Sequence, residues 1–300
     1  MIARENQIHL VVAFGQGVAQ LDRIVEKPSE GQWFNYGNTH RHPAFDNPPY
    51  LRIARLIIAG CEDTMAKGAT STTPVATSRE PRGEDLIARY RAKYGIPAGV
   101  SLTEEQVMFH WRLERSLTAQ LLASTPESRW ETFERCYSEL YRSLPWLQEG
   151  EAEQTADDSA EHALWSSLLG SAPRDVYEVG SGDGALARYL AAHGYRCRAT
   201  EITRERGDRT EEAGLSWGQT DGVNLGSFEV GESFDAVISN QVLEHLHPAD
   251  LSAHLGAAHG LLRARGRIAF ATPHRFTGPH DVSQVFDRDE AEGMHLHEYT

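Results

Sequence analysis

The second half of the chain alternates short apolar runs with segments of helical periodicity. The strand candidates are apolar runs at residues 176–179, 196–202, 215–217, 234–239 and 267–271. The helix candidates between them have apolar residues on one face and cover residues 185–193, 204–213 and 249–262. Strands that alternate with helices in this way predict βαβ units. We therefore expect an α/β fold, a Rossmann-like parallel sheet with flanking helices.

An upstream segment has helical periodicity throughout. Thr103 is followed three residues later by Gln106, which predicts a capping box at the start of a helix. Its apolar stripe continues through either Leu113 or Glu114, and the spacing fits both. A second helix should start at Pro126, because proline is favoured at the first helical position. The stripe of this second helix is aromatic, and we expect it to pack against the next domain rather than line a ligand site.

These patterns divide the chain into three regions. Residues 1–83 form a poorly defined N-terminal region that ends in a linker, because residues 60–83 are small, polar and rich in threonine. Residues 84–150 form the helical segment, which we interpret as lid-like. Residues 151–300 form the α/β domain.

Charge and cysteine content narrow the function. The formal net charge is -14, and such a surface repels nucleic acids and anionic membranes. The apolar run at residues 8–14 is too short to span a membrane. The three cysteines, Cys61, Cys136 and Cys197, form no Cys-x-x-Cys pair, which is typical of a cytoplasmic protein without disulfides. We expect neither nucleic acid nor a membrane as a partner.

A glycine-rich loop joins the first predicted strand to the first helix of the α/β domain. Gly180, Gly182 and Gly184 occupy alternate positions. Glycine allows a sharp turn and a close approach of the backbone to a ligand at the helix N-terminus. By itself the loop also fits the Gly-x-Gly-x-x-Ala pattern of nicotinamide or flavin sites, so it does not identify the ligand.

Three further segments narrow the choice of ligand. Glu178 lies two residues before Gly180, which completes a Glu-x-Gly-x-Gly-x-Gly pattern. Residues 234–246 read FDAVISNQVLEHL, and residues 266–273 read GRIAFATP. Together, over about residues 175–273, these segments resemble the class I S-adenosylmethionine-dependent methyltransferases of small-molecule type.

The resemblance implies S-adenosylmethionine as the cofactor. It implies that Glu178 interacts with the methionine part of the cofactor, Glu201 with the ribose hydroxyls and Asp221 with the adenine amino group. The full set of implied cofactor-binding residues is Glu178, Gly180, Ser181, Gly182, Gly184, Glu201, Asp221, Asn240 and Gln241.

The resemblance also implies an enzyme that transfers a methyl group to O, N or C of a small-molecule acceptor. His245 follows the fourth strand, near the expected methyl group, and is our candidate for a catalytic base; alternatively, it caps or packs the helix that it begins. His280 is a second candidate base. The pairs His245–His247 and His295–His297 have i, i+2 spacing, and no carboxylate triad is evident, so we expect no metal.

Two other functions remain open on the sequence. One is a catalytically inactive, cofactor-binding regulatory protein, and the other is a NAD-dependent oxidoreductase that uses the Gly-x-Gly-x-x-Ala pattern. The chain stops at Thr300, before the antiparallel strands that end the sheet in the family. We therefore expect a fragment, or a gene product that is truncated or mis-started, whose fifth strand has an unpaired edge. The sequence does not indicate an oligomeric state.

Overall fold

The computed structural model describes residues 9–14, 17–19, 81–147, 159–207, 215–273, 275 and 278–299. Its centre is one seven-stranded sheet with the strand order β2-β1-β7-β6-β3-β4-β5. The strands are β1 (His9–Phe14), β2 (Gly17–Ala19), β3 (Asp175–Val179), β4 (Arg196–Glu201), β5 (Ser216–Gln219), β6 (Phe234–Asn240) and β7 (Leu262–Thr272). The helices are α1 (Gly83–Tyr94), α2 (Glu104–Leu122), α3 (Arg129–Ser143), α4 (Ser159–Leu169), α5 (Ala185–Ala192) and α6 (Leu251–Leu261).

Strands β3 to β7 pair in parallel, which confirms the predicted α/β fold. Strand β7 starts at Leu262, five residues before its predicted start, because the chain turns directly from α6 into the sheet. The predicted helix at 204–213 is helical over residues 204–207, and the rest of it lies outside the described residues.

The expected unpaired edge of the fifth parallel strand is wrong. Strand β1 pairs in parallel with β7, with His9 opposite Arg267 and Phe14 opposite Thr272, and β2 pairs antiparallel with β1. The backbone N–H and C=O groups of β7 thus gain partners from the N-terminal region. Periodicity describes local structure, so it could not predict a pairing across roughly 250 residues of chain.

The helical segment begins and ends close to its predicted positions. The capping box of α2 is confirmed, since Thr103 Oγ1 accepts from Gln106 N and Gln106 Oε1 accepts from Thr103 N. The predicted start of α3 at Pro126 is wrong, because the chain first makes a turn in which Ser128 N donates to Thr125 O. The helix starts at Arg129.

The helical segment shares a hydrophobic core with the C-terminal stretch of the chain. Trp111 of α2 stacks on Phe286, with ring centroids 4.7 Å apart, and Met294 is buried in the same cluster. Phe286 belongs to a 3-10 helix, Val282–Phe286, and no β-strand is assigned between residues 278 and 299. Residues 278–299 are therefore held by α1 and α2 beside the sheet.

The strand order reverses between β3 and β6. From β3 the chain adds β4 and β5 on one side, and β6 and β7 follow on the other. In open parallel sheets, ligands bind outside the carboxyl ends of the strands at such a reversal. Within the described ranges, no helix is long and apolar enough to cross a membrane.

Candidate functional site

A cavity of about 560 Å³ opens at the carboxyl ends of β3, β4 and β6. Ligand sites in proteins commonly measure ~300–1,000 Å³. Ten of the eleven residues proposed from the sequence line it, namely Glu178, Gly180, Ser181, Gly182, Glu201, Asp221, Asn240, Gln241, His245 and His280. The exception is Gly184, which lies outside the cavity lining.

The three glycines of the loop have different roles. A Cβ at Gly180 would lie 2.5 Å from Val242 Cγ2, so the loop needs glycine there to pack against the residues after β6. A Cβ at Gly182 would meet no atom within 4 Å, and its φ is +59. Gly184 precedes α5 in the left-handed conformation and donates to Ser181 O at 2.8 Å. Of Gly180 and Gly182, only Gly182 therefore has open space at the position where a side chain would begin.

Two buried polar atoms of the loop region lack protein partners. Glu178 is 3% exposed, and its Oε2 finds no hydrogen-bond partner within the described part of the chain. The same holds for Ser181 Oγ. Burial, and then the neighbouring carboxylates of Glu201 and Asp183, raise the pKa of Glu178 to about 8. A polar ligand in the cavity would satisfy atoms that are costly to bury alone.

The two further acidic residues hold the backbone around the cavity. Glu201 Oε1 accepts from Gly182 N and Oε2 accepts from Ile202 N, both at 2.9 Å. Burial raises the pKa of Glu201. Asp221 Oδ1 accepts from the N–H groups of residues 223 and 224 at 2.8 and 2.7 Å. These hydrogen bonds fix the backbone next to the cavity, where the cofactor would bind. Each carboxylate also keeps lone pairs that can accept from a ligand.

Asn240 and Gln241 form the edge of the cavity after β6. Asn240 Nδ2 donates to Glu161 Oε1 at 2.8 Å, which ties β6 to α4. Gln241 has a φ of 56, uncommon for a residue with a side chain, and its N–H donates to Ala271 O at 2.9 Å. This turn moves the chain off the sheet and places the following residues beside the cavity.

His245 ends a short 3-10 helix, Leu243–His245, on the cavity wall. His245 does not begin the long helix, because α6 starts at Leu251; its ring packs instead against Tyr137. Its Nδ1 lies 2.9 Å from Met294 O. Since a carbonyl oxygen only accepts, Nδ1 carries the hydrogen and Nε2 keeps its lone pair. Burial, followed by the charge of His295, lowers the pKa of His245 to about 3.

The side of the cavity beyond His245 contains charged residues that the sequence patterns missed. Glu114 is the buried member of the ambiguous pair in α2. Its Oε1 pairs with His110 Nε2 at 2.6 Å, and its Oε2 accepts from Met294 N at 3.0 Å. Burial opposes ionisation, but His110, the N–H of Met294 and His295 together outweigh it, so the pKa of Glu114 is lowered. The i, i+4 spacing of His110 and Glu114 was a signal that could have indicated this pair.

His280 and His295 meet at Glu298. Glu298 Oε1 lies 2.6 Å from His295 Nδ1, and its Oε2 lies 3.5 Å from His280 Nδ1. His280, His295 and Asp281 all line the cavity. Burial disfavours the charged imidazole of His295, but its hydrogen bond to Glu298 and the charges of Glu244, Asp281 and Glu298 together outweigh burial and raise its pKa.

The aromatic stripe of α3 does line the cavity, so the expectation that it would only pack is wrong. Phe133, Tyr137, Leu140 and Tyr141 contribute to the wall. Phe133, Tyr137 and Leu140 are also buried members of the helical core. A stripe wide enough to cover a core can also face a cavity next to that core.

Comparisons with known proteins agree with this arrangement. Residues 177–270 match the family model described as a methyltransferase domain, and this match favours methyl transfer over the nicotinamide interpretation. No curated protein matches the chain significantly.

Several solved structures are similar to the chain. The 1,6-didemethyltoxoflavin-N1-methyltransferase of Burkholderia thailandensis has 21% identity, with 49% of this chain and 64% of that chain covered and a TM-score of 0.39. An S-adenosylmethionine-dependent methyltransferase of Mesorhizobium loti has 19% identity and a TM-score of 0.33, and the match covers 40% of this chain and 56% of that chain. A TehB-like methyltransferase of Corynebacterium glutamicum has 19% identity and a TM-score of 0.34, and the match covers 46% of this chain and 71% of that chain. The chain thus spans less than two thirds of the first two relatives.

The residues present fit the cofactor of this family, S-adenosylmethionine. Glu178 Oε2 and Ser181 Oγ are buried polar atoms without partners in the described structure, and both residues line the cavity. Gly182 leaves a space there that a Cβ would fill. Residues 177–270 therefore match a methyltransferase domain, and the cavity that they help to form fits its cofactor.

Proposed function

We propose that this protein transfers a methyl group from S-adenosylmethionine to O, N or C of a small-molecule acceptor. The observation that carries the proposal is that a single cavity connects the glycine loop, with Glu178 and Ser181, to the wall that holds His245. One end of this cavity suits a polar cofactor, and the other offers an imidazole and aromatic surface to a second molecule.

The cofactor end would be formed by the eight implied cofactor-binding residues other than Gly184. When bound, S-adenosylmethionine supplies a methyl group that its positively charged sulfur makes electrophilic. Glu178 would accept hydrogen bonds from the methionine part, and Glu201 would bind the ribose through the lone pairs that its backbone contacts leave. Asp221 would bind the adenine amino group.

The acceptor end would align the methyl acceptor and take up the proton that this acceptor loses. Much of the catalysis of methyl transfer comes from the alignment of nucleophile and methyl group. Tyr137 and Tyr141 from α3 cover the cavity and would exclude water. His245 Nε2 keeps its lone pair because Nδ1 is held by Met294 O. This nitrogen would take the proton of a hydroxyl or ammonium acceptor. Residues 84–150 would then act as the lid.

We further propose that the enzyme acts in the cytoplasm on a small metabolite. Cys136 and Cys197 are free thiols, which is consistent with a reducing compartment. The net charge of -14 disfavours nucleic acid as a substrate.

Calorimetry tests the cofactor assignment directly. S-adenosylmethionine and S-adenosylhomocysteine are titrated into the purified chain, with NAD as the control ligand. We expect both sulfur compounds to bind and NAD not to bind. Stronger binding of NAD would refute the proposal in favour of an oxidoreductase.

Turnover is measured separately, as formation of S-adenosylhomocysteine with a panel of hydroxyl, amine and carbon acceptors. Release of one S-adenosylhomocysteine per methylated product supports the enzyme. Heat stabilisation by the cofactor without turnover on any acceptor would instead support the catalytically inactive protein.

A further inference from the structure

Three potential metal ligands meet at the acceptor end of the cavity. Glu244, His245 and His295 each offer one ligand atom, and these atoms all lie within 4.8 Å of one another. The sequence predicts no metal, because the pairs His245–His247 and His295–His297 have i, i+2 spacing and no evident carboxylate triad. In the structure, one histidine of each pair lies beside the other and beside Glu244. The cluster therefore contains the carboxylate that the spacing of the pairs did not indicate.

The hydrogen bonds of the two histidines leave the same nitrogen available. His245 Nδ1 lies 2.9 Å from Met294 O, and His295 Nδ1 lies 2.6 Å from Glu298 Oε1. Both oxygens accept, so Nε2 is the nitrogen that each ring offers to a ligand. Histidines that bind metals in proteins typically donate their other N–H to a carbonyl or carboxylate in this way.

Glu244 adds a buried oxygen without a protein partner. The residue is 0% exposed. Its Oε2 accepts from Thr272 Oγ1 at 3.0 Å, whereas Oε1 has no hydrogen-bond partner in the part of the chain that the structure describes. An unpaired carboxylate oxygen in the interior is costly. A cation between this oxygen and the two imidazoles would remove that cost.

The surroundings of the cluster are also suited to positive charge. Glu114, Asp281 and Glu298 are buried carboxylates of the same region. Their oxygens accept hydrogen bonds from backbone N–H groups and histidines, so they are fixed in place rather than free to ligate. Two nearby cations oppose them: Arg206, which also lines the cavity, and Lys93, which interacts with Glu114, Asp281 and Glu298.

We propose that Glu244, His245 and His295 bind a divalent transition-metal cation such as Zn²⁺. Two imidazoles and one carboxylate form the ligand set of many catalytic metal sites, and they leave coordination positions open for a substrate or water. His245 and His295 line the cavity, so those positions would face the acceptor. This role rests on the proposed function: the cation, with His245 Nε2 as a ligand, would activate the acceptor in place of the free imidazole.

The experiment measures binding of Co²⁺ and Zn²⁺ to the full chain after removal of metals with a chelator. Co²⁺ reports its ligands through visible absorption, and Zn²⁺ is then added in competition. We expect one equivalent of Co²⁺ to bind and Zn²⁺ to displace it. Glu244→Gln and His295→Gln should abolish this binding, and Glu298→Gln should weaken it by about 10–100-fold, because a neutral amide replaces the carboxylate that accepts from His295 Nδ1.

His297→Gln is the matched control. His297 lies in the same stretch as His295, but its ring packs on Tyr299 and is not part of the cluster, so binding should be unchanged. Circular dichroism and calorimetric binding of S-adenosylhomocysteine show whether each variant is folded. Folded wild-type protein that binds no Co²⁺, or variants that bind it as wild type does, would overturn the metal site.

The two proposals fail separately. Binding of S-adenosylhomocysteine without Co²⁺ would overturn the metal site and leave the methyltransferase intact. Binding of Co²⁺ by folded protein that binds no S-adenosylhomocysteine would overturn the proposed function and leave the metal site. Turnover that survives complete metal removal would assign activation of the acceptor to the imidazole of His245 and overturn the catalytic role of the cation.

Discussion

At the scale of single residues, the carboxylates of the site act on the backbone as well as on the proposed ligand. Glu201 holds Gly182 N and Ile202 N with one oxygen each. The resemblance implies a ribose contact for Glu201, and the structure adds a role in shaping the glycine loop. Both roles have the same origin, because a carboxylate at the end of β4 faces the carboxyl edge of β3, where the loop begins.

Replacement of Glu201 tests this double role. Glu201→Ala should lower the affinity for S-adenosylmethionine by about 10–100-fold, because the ribose contact is lost and two buried N–H groups lose their acceptor. Glu201→Gln keeps one acceptor and should lose less. The exposed Glu205 provides the control, and Glu205→Ala should bind normally. Calorimetry measures the affinities, and unchanged binding in Glu201→Ala would contradict the placement.

Glu178 should make cofactor binding depend on pH. Its pKa is raised from 4.5 to about 8, chiefly by burial, so the ligand-free protein holds a proton there at neutral pH. A positively charged ligand favours the carboxylate. We therefore expect binding to release a proton and affinity to rise from about pH 6 to about pH 8. Calorimetry in buffers of different ionisation enthalpy measures the released proton.

The raised pKa of Glu178 also predicts how the stability of the ligand-free protein changes with pH. Between the ordinary pKa of 4.5 and the folded value of about 8, the folded state binds a proton that the unfolded chain has lost. The contribution of Glu178 to stability therefore falls as the pH rises through this range. Glu178→Gln should remove both pH dependences; a variant that still releases the proton on binding would show that another group carries it.

At the scale of elements, the sequence patterns predicted the features that depend on interactions within a few residues. The capping box of α2 and the parallel strands from β3 to β7 were predictable, because side-chain periodicity and capping act within a few residues. The pairing of β1 with β7 and the burial of Glu114 against Met294 were not. Both depend on contacts between distant parts of the chain. The cofactor side of the cavity comes from one continuous stretch and was predicted, whereas the acceptor side combines α2, α3 and residues 280–298.

The glycine loop offers an element-scale test with a close control. Gly182 and Gly83 have φ values of +59 and +60, and a Cβ at either would meet no atom within 4 Å. Valine at either position should cost similar backbone strain, about 1–2 kcal/mol. Only Gly182 lines the cavity. Gly182→Val should therefore weaken cofactor binding by more than about tenfold, or about 1.4 kcal/mol, and Gly83→Val should not.

Calorimetry at a temperature where both variants are folded makes this comparison. Equal affinities in the two variants would show that the loop does not bind the cofactor. A loss of binding in both would attribute the effect to strain rather than to the cavity.

At the scale of the whole molecule, the helical segment and the α/β domain share side chains at the site. Trp111 of α2 packs on Phe286, and Glu114 holds Met294, whose carbonyl oxygen fixes His245. The predicted boundary at residue 150 therefore divides the sequence but not the packing, because the core of the helical segment includes Val282, Val285, Phe286 and Met294. A lid connected in this way would close the acceptor end by small shifts of α2 and α3 rather than by separation from the sheet.

This connection predicts a single cooperative unfolding transition whose midpoint rises with ligand. S-adenosylhomocysteine at about 100 times its Kd should stabilise the folded protein by about 2.7 kcal/mol, and Tm should rise by several degrees, at roughly 2–4 °C per kcal/mol for a domain of this size. Because α2 and residues 282–294 share one core, fluorescence of the tryptophans in the helical segment and far-ultraviolet circular dichroism should report the same Tm. Two transitions, with only the later one raised by the ligand, would mean that the helical segment unfolds independently and that its contact with Met294 does not couple it to the cofactor site.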